Sequence, residues 1–159
     1  MILRSSFALL ALLAFAQAGQ AMSLSKETTL ADGRGGQMVA VTTGELDATA
    51  ATRSTDATFS NFQPREDGGR VDGSLRREFS REGRETESVL SGRLTLTPAA
   101  GATNTAARVL TLNDLTVVRA GDGPEFSGSV QIDGTTLQAE RLPPAIRKLL
   151  RRLVALTQL

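Results

Sequence analysis

Two stretches of this 159-residue chain repeat each other, and the repeat limits the folds that the chain can adopt. Residues 58–75 read TFSNFQPREDGGRVDGSL, and residues 111–130 read TLNDLTVVRAGDGPEFSGSV. Thr58 matches Thr111, 53 positions later, whereas the Gly-Ser pairs that follow are 55 positions apart. We interpret the repeat as one β-hairpin used twice, with two added residues in the second hairpin loop, where extra length costs little. The alternative is that two unrelated hairpins of a Thr- and Gly-rich protein share this much sequence.

The sequence around the repeat is typical of β-structure. Runs of Thr, Val and Leu alternate with polar residues and are separated by Gly, Asp, Asn and Pro. The predicted strands cover residues 38–50, 54–62, 69–79, 84–97, 106–118 and 125–138. Their short connections indicate an antiparallel meander. The predicted fold is therefore mainly β: a single curved six-stranded sheet, made of two similar three-stranded units, with a C-terminal helix on its apolar face.

One side of the predicted strands is apolar, which indicates a sheet buried on one face. The residues predicted on that side are Ala57, Phe59, Val71, Gly73, Leu75, Phe79, Leu90, Gly92, Leu94, Leu96, Leu110, Leu112, Phe126, Gly128, Val130 and Ile132. Arg77 is the exception, because it falls on the apolar side of its strand. We expect it near a rim of the sheet.

The last segment, PPAIRKLLRRLVALTQL, predicts an amphipathic helix over residues 143–157. Its apolar positions are Ile146, Leu149, Leu150, Leu153 and Leu156, and its basic positions are Arg147, Lys148, Arg151 and Arg152. Each buried aliphatic side chain contributes roughly 1.5–3 kcal/mol, whether the helix covers the sheet or docks on an anionic membrane. Packing on the sheet is favoured because the leucines of the sheet would otherwise have no cover. The four basic residues are the candidate ligand or membrane contacts.

The first 21 residues have the order of a secretory signal peptide. Arg4 is followed by the apolar run Phe7 to Ala16, which is shorter than the roughly 20 residues of a transmembrane helix. Small residues permit cleavage after Ala18 or Ala21. We therefore predict no transmembrane span in the mature chain and a location in the bacterial periplasm or outside the cell.

The mature chain is predicted to consist of a flexible lead-in, residues 22–37, in which one short edge strand is the alternative, and a single domain, residues 38–159. Arginine greatly outnumbers lysine, which is typical of GC-rich bacterial genomes. Without Arg4 the 18 basic residues become 17 and balance the 17 acids. Because nucleic-acid binding depends on phosphate neutralisation, no nucleic-acid partner is expected.

The chain contains no histidine and no cysteine, which excludes most catalytic and metal-binding chemistry. Ser-His-Asp and Cys-His nucleophiles, zinc sites with nitrogen or sulfur ligands, and thiol redox reactions all need one of these residues. A catalytic Ser-Lys dyad would need one of the two lysines of the chain, Lys26 or Lys148. A carboxylate pair for glycoside hydrolysis remains the enzymatic alternative, but the acids between Glu66 and Glu87 share their stretch with arginines.

Aspartate-glycine pairs recur in the segments EDGG, VDG, GDG and IDG, which raises the possibility of calcium. A calcium loop needs several oxygen ligands converging in one segment. Each of these pairs instead stands where a hairpin requires a turn. We therefore expect turns and predict neither a metal nor a cofactor.

The sequence favours an exported, non-enzymatic β-sheet module that acts as a structural or interaction protein of the bacterial cell envelope. The alternative is a periplasmic carrier that holds a lipid or another apolar ligand between the sheet and the C-terminal helix. The expected partner is accordingly an envelope protein or an apolar ligand, with peripheral membrane contact through the helix as a further option.

Overall fold

The computed structural model describes residues 22–46, 50–66, 68–103, 105–119 and 124–158. The strands are β1 (Met22–Ala31), β2 (Gln37–Leu46), β3 (Ala50–Phe62), β4 (Arg70–Glu82), β5 (Glu85–Thr97), β6 (Arg108–Arg119), β7 (Pro124–Ile132) and β8 (Thr135–Gln138). A 3₁₀ turn (Ala139–Arg141) precedes the helix α1 (Pro144–Leu156). The predicted signal peptide lies outside the described residues. Either predicted cleavage would leave β1 whole, because the strand begins at Met22.

All the strands belong to one antiparallel sheet in chain order, from β1 to β8. The prediction of a mainly β antiparallel meander with a C-terminal helix is confirmed, but the predicted number of strands is wrong: there are 8 instead of six. The predicted units correspond to β2–β4 and β5–β7. The two additional strands, β1 and β8, form the edges of the sheet.

The first additional strand lies in the segment that was predicted to be a flexible lead-in. β1 pairs along its whole length with β2, from Met22 opposite Leu46 to Ala31 opposite Gln37. Its inward side alternates between apolar and polar residues, with Leu30 packed against the core and Lys26 exposed. An edge strand with such a mixed inner side has only a weak period-2 pattern, which explains why the sequence indicated at most a short edge strand here.

The second additional strand results from a turn inside the predicted strand 125–138. Asp133 and Gly134 have φ angles of 51° and 83°. Positive φ at both central residues is typical of a tight two-residue hairpin, for which Asp-Gly is a preferred sequence. The chain therefore reverses there, and β8 pairs with β7.

The repeated hairpins are β3–β4 and β6–β7, and they share a structural irregularity. Each first strand contains a β-bulge, at Asn61 in β3 and at Asp114 in β6, with φ angles of 51° and 53°. These two residues match in the sequence repeat. The added length in the second copy was predicted in the loop. The first strand of the second copy is also longer after the bulge, because β6 continues to Arg119 whereas β3 ends at Phe62.

The core lies between the inner face of the sheet and α1. Leu150 and Leu153 are 0% exposed and cover this face, as predicted. Their burial contributes about 1.5–3 kcal/mol each. Pro144 begins the helix, and the Thr157 hydroxyl donates to the Val154 carbonyl, 2.8 Å away, near its end. The core residues of the sheet are Met38, Ala40, Ala57, Phe59, Phe62, Val71, Leu75, Leu90, Leu94, Leu110, Leu112, Leu115, Val130 and Ile132.

Candidate functional site

The four basic residues predicted as ligand or membrane contacts do not form one site. Arg147 is half-buried and has a structural contact. Its guanidinium Nε donates to the carbonyl of Leu142 at 3.0 Å, and its Nη2 donates to the carbonyl of Glu140 at 3.3 Å. This side chain therefore holds the 3₁₀ turn against the start of α1.

Of the other three, only Arg151 belongs to a concave site. Lys148 and Arg152 are exposed and make no hydrogen bond or ion pair with any residue that the structure describes. The guanidinium carbon of Arg151 lies 5.7 Å from the centre of the Phe126 ring. Arg151 thereby reaches the surface of a cavity at the C-terminal end of α1.

This cavity, which we call the arginine cavity, lies between the last turn of α1 and the adjoining ends of β4, β5, β6 and β7. Its volume is about 260 Å³. The lining residues are Arg77, Phe79, Thr86, Ser88, Val117, Arg119, Phe126, Arg151, Val154, Ala155 and Gln158. The lining thus combines three guanidinium groups with aromatic and aliphatic side chains.

Arg77 is the most deeply buried charge in the lining, with 6% of its surface exposed. Its Nε and Nη2 both donate to the hydroxyl of Ser88, at 3.1 and 3.0 Å. Its guanidinium carbon lies 5.0 Å from the centre of the Phe79 ring. A guanidinium has five N–H donors, so the Ser88 hydroxyl leaves most of them for another acceptor.

None of the described residues that line the arginine cavity is an acid. Among the described residues, no ion pair of Arg77, Arg119 or Arg151 is found. Burial, followed by the charge of Arg53, lowers the pKa of Arg77 from its ordinary value. Arginine nevertheless stays protonated in proteins. The buried positive charge therefore raises the free energy of the empty site.

The strand alternation explains why the acids do not neutralise this region. Phe79 pairs with Ser88 and Arg77 with Leu90, all on the inner face. Glu78 and Glu87 are adjacent to these positions, so they point to the opposite side of the sheet. Charges that are neighbours in the sequence are thus separated by the thickness of the sheet.

A second depression, which we call the apolar groove, lies at the N-terminal end of α1. Its volume is about 360 Å³, and Val71, Leu96, Ile146 and Leu149 are among its lining residues. The arginines of this region already have partners in the described part of the chain. Arg70 donates to the side-chain oxygen of Asn61 at 2.8 Å, and Arg108 lies 3.9 Å from a carboxylate oxygen of Asp133.

The sequence contained a partial signal for the arginine cavity. It predicted Arg77 on the apolar side of its strand and near a rim of the sheet; the side chain lies on that side, is buried, and lines the cavity at the ends of the strands. Arg119 was not singled out. The signal available in the sequence was an arginine in an otherwise apolar face of a strand. The three guanidinium groups come together only through the pairing of distant strands.

The aspartates of the predicted turns serve the backbone. A carboxylate oxygen of Asp72 accepts the N–H of Asn61 at 2.6 Å, and one of Asp133 accepts the N–H of Val109 at 2.8 Å. The predicted turn residues Asp67 and Asp122 lie outside the described residues. Within the described ranges, no group of three or more acids is arranged to hold a metal ion.

The comparisons with known proteins give no assignment. No protein-family model matches the sequence. No match is found among curated proteins or among solved structures. None of the helices in the described ranges has the length and hydropathy needed to cross a bilayer.

Proposed function

We propose that this chain, after removal of its signal peptide, is a non-enzymatic module of the bacterial cell envelope that binds a small ligand in the arginine cavity. One observation carries the proposal: Arg77 is charged, 6% exposed and without an acidic partner among the described residues, and it lines an open cavity. A buried charge is costly unless it is paired. A ligand that supplies the missing counter-charge would account for its presence.

The lining of the cavity favours binding over catalysis. Its polar side chains are Arg, Thr, Ser and Gln. General acid–base catalysis near neutral pH depends chiefly on His, Glu, Asp, Lys, Tyr or Cys. None of these residue types is among the lining residues.

The position of the cavity modifies the carrier hypothesis. Leu150 and Leu153 fill the middle of the layer between helix and sheet, so the space for a ligand lies at the two ends of α1. The arginine cavity, at about 260 Å³, is also smaller than the roughly 300–1,000 Å³ of a pocket for a drug-sized ligand. It suits a compact ligand or a head group better than a complete lipid.

Native mass spectrometry of the mature protein, isolated from cells that export the full chain, tests the proposal. We expect a species with a bound small molecule. Two substitutions on α1 identify the site: Ala155→Trp fills the arginine cavity, whereas Ala145→Trp fills the apolar groove. Ala155→Trp should remove the bound mass, and the matched control Ala145→Trp should retain it.

Two results would contradict the proposal. A bound mass that disappears with Ala145→Trp and persists with Ala155→Trp would place the ligand in the apolar groove. A protein with no bound mass, and no affinity for any added anion or amphiphile, would favour the purely structural or interaction role.

A further inference from the structure

We infer that the ligand of the arginine cavity is an anionic amphiphile, whose phosphate or carboxylate group binds the guanidinium groups while its apolar part packs on the rings and aliphatic side chains of the lining. This inference rests on the proposed function and specifies its ligand. Three features of the cavity support it: its charge, the orientation of its donors and its apolar surface.

The charge of the cavity selects an anion. Arg77, Arg119 and Arg151 contribute three positive charges, and no acid lines the cavity among the residues that the structure describes. The C-terminal end of α1 contributes a partial negative charge of about half a unit. The guanidinium groups outweigh it several-fold, so the net field of the lining residues favours a negatively charged ligand.

The orientation of the guanidinium groups suits an oxyanion. Arg77 lies over the ring of Phe79, and Arg151 lies over the ring of Phe126. A guanidinium stacked on a ring keeps the N–H donors of its edge free for bonds in its own plane. Such a fork matches the paired oxygens of a carboxylate or phosphate. Ser88 accepts from Nε and Nη2 of Arg77, so the remaining N–H donors of Arg77 and those of Arg151 are the groups that can bind an anion.

The rest of the lining requires an apolar portion in the ligand. The apolar side chains of the lining are those of Phe79, Val117, Phe126, Val154 and Ala155. An inorganic anion would occupy the polar side and leave these side chains in contact with water. A ligand that joins an anionic group to a short apolar group satisfies both surfaces.

Isothermal titration calorimetry with three probes separates the two contributions. Octyl phosphate, below its critical micelle concentration, carries both an anionic group and an apolar group. Octyl glucoside carries the same chain without the charge, and inorganic phosphate carries the charge without the chain. We expect octyl phosphate to bind at least about tenfold more tightly than either control, the effect of roughly one charge-assisted hydrogen bond.

Adjacent residues on α1 provide a matched pair of variants. Arg151 and Arg152 are both exposed, but Arg151 lines the cavity and Arg152 does not. Arg151→Gln should weaken octyl phosphate binding by about tenfold, and Arg152→Gln should leave it within about twofold. Arg77→Ile should abolish measurable binding, with thermal melts confirming that the variant is folded.

The outcomes distinguish the inference from the proposed function. Equal binding of octyl phosphate and octyl glucoside, or equal behaviour of the Arg151 and Arg152 variants, would overturn the inference while the cavity remains a binding site. Inorganic phosphate that binds as tightly as octyl phosphate would also overturn it, because the apolar lining would then contribute nothing. If no probe binds and the exported protein carries no bound mass, the proposed function itself fails.

Discussion

In the first copy of the repeated hairpin, the residue four positions after the strand glycine is Arg77; in the second copy it is Ile132. Both side chains are buried, with 6% and 8% of their surfaces exposed, and both lie on the inner face of the sheet. Ile132 belongs to the core, whereas Arg77 lines the arginine cavity. The same strand pattern thus supplies packing in one copy and an unpaired charge in the other.

The two copies also differ in how their strands pair. Phe59 lies opposite Gly73 in the first copy, but the matching Leu112 lies opposite Val130 in the second. The second strand of the hairpin is therefore shifted by one inner-face position between the copies. The two strand glycines, Gly73 and Gly128, consequently meet different surroundings. The two copies match in sequence but differ in the surroundings of their glycines. The same substitution made in each copy therefore separates its effect on the local backbone from its effect on packing.

The largest expected difference is between Gly73→Ala and Gly128→Ala. Both glycines have positive φ, 117° and 98°, so alanine is strained in either copy, by about 1–3 kcal/mol. At Gly73 the added Cβ would also collide with the carbonyl oxygen of Arg93, whereas at Gly128 the nearest atom, the Asp114 carbonyl oxygen, is 3.4 Å away. We expect Gly73→Ala to lower the free energy of unfolding by about 3–5 kcal/mol in total. Urea denaturation measures both losses, and equal values would contradict the difference in packing.

Exchanging the residues of the two copies should have opposite effects on stability. Ile132→Arg introduces a charge into the core and should lower the free energy of unfolding by about 2–4 kcal/mol. Arg77→Ile removes a buried unpaired charge and should raise it by about 1 kcal/mol in the ligand-free protein, despite the lost bonds to Ser88. Chemical denaturation of ligand-free protein provides the test. A marked loss of stability with Arg77→Ile would show that Arg77 is needed for the fold and would contradict its role as a binding charge.

Asp32 connects the turn between β1 and β2 to the loop of the first copy. Its carboxylate accepts the N–H groups of Arg34 and Gly36 at 2.7 and 2.9 Å, and that of Gln63 at 2.8 Å. Partial burial raises the pKa of Asp32, but the three N–H donors and the charge of Arg34 outweigh it and hold the pKa below 3.8. Because the pKa is lowered on folding, the ionised carboxylate stabilises the fold at any pH above the pKa of the unfolded chain. This stabilisation is lost as the pH falls through the pKa of the folded protein.

Asp32→Asn should therefore lower stability by about 1 kcal/mol at neutral pH, because an amide oxygen is a weaker acceptor than a carboxylate. The difference between wild type and variant should begin to shrink as the pH falls below about 4, where the carboxyl of the unfolded chain becomes protonated, and should disappear once the folded-state carboxyl is protonated as well. Thermal melts across this pH range provide the measurement. A difference that is constant with pH would show that the charge of Asp32 is unimportant.

The two copies should respond alike to substitutions in the shared β-bulge. Asn61→Ala and Asp114→Ala place alanine at φ angles of 51° and 53°. Each substitution should lower the free energy of unfolding by about 1–2 kcal/mol. Glycine at the same positions should recover most of the loss, since it adopts positive φ without strain. Urea denaturation of the four variants checks this. Recovery by glycine in only one copy would mean that the two bulges are not equivalent.

Most of the fold followed from local patterns. Period-2 alternation predicted the inner faces of β3 to β7, and helical spacing predicted that Leu150 and Leu153 would be buried. Where the local pattern was weak, the prediction failed. β1 has a mixed inner side, and the two-residue turn at Asp133 conceals the boundary between β7 and β8.

The candidate site depended on longer-range structure. The sequence by itself determined that Arg77 interrupts an apolar face and that Arg151 lies on a basic helix. Only the tertiary structure brought them together with Arg119, through the pairing of β5 with β6 and the docking of α1. Local periodicity fixes which side of an element a residue occupies, because it is a property of neighbouring residues. Which distant residues share a cavity depends on strand register and helix position, because these are set by the packing of the whole core.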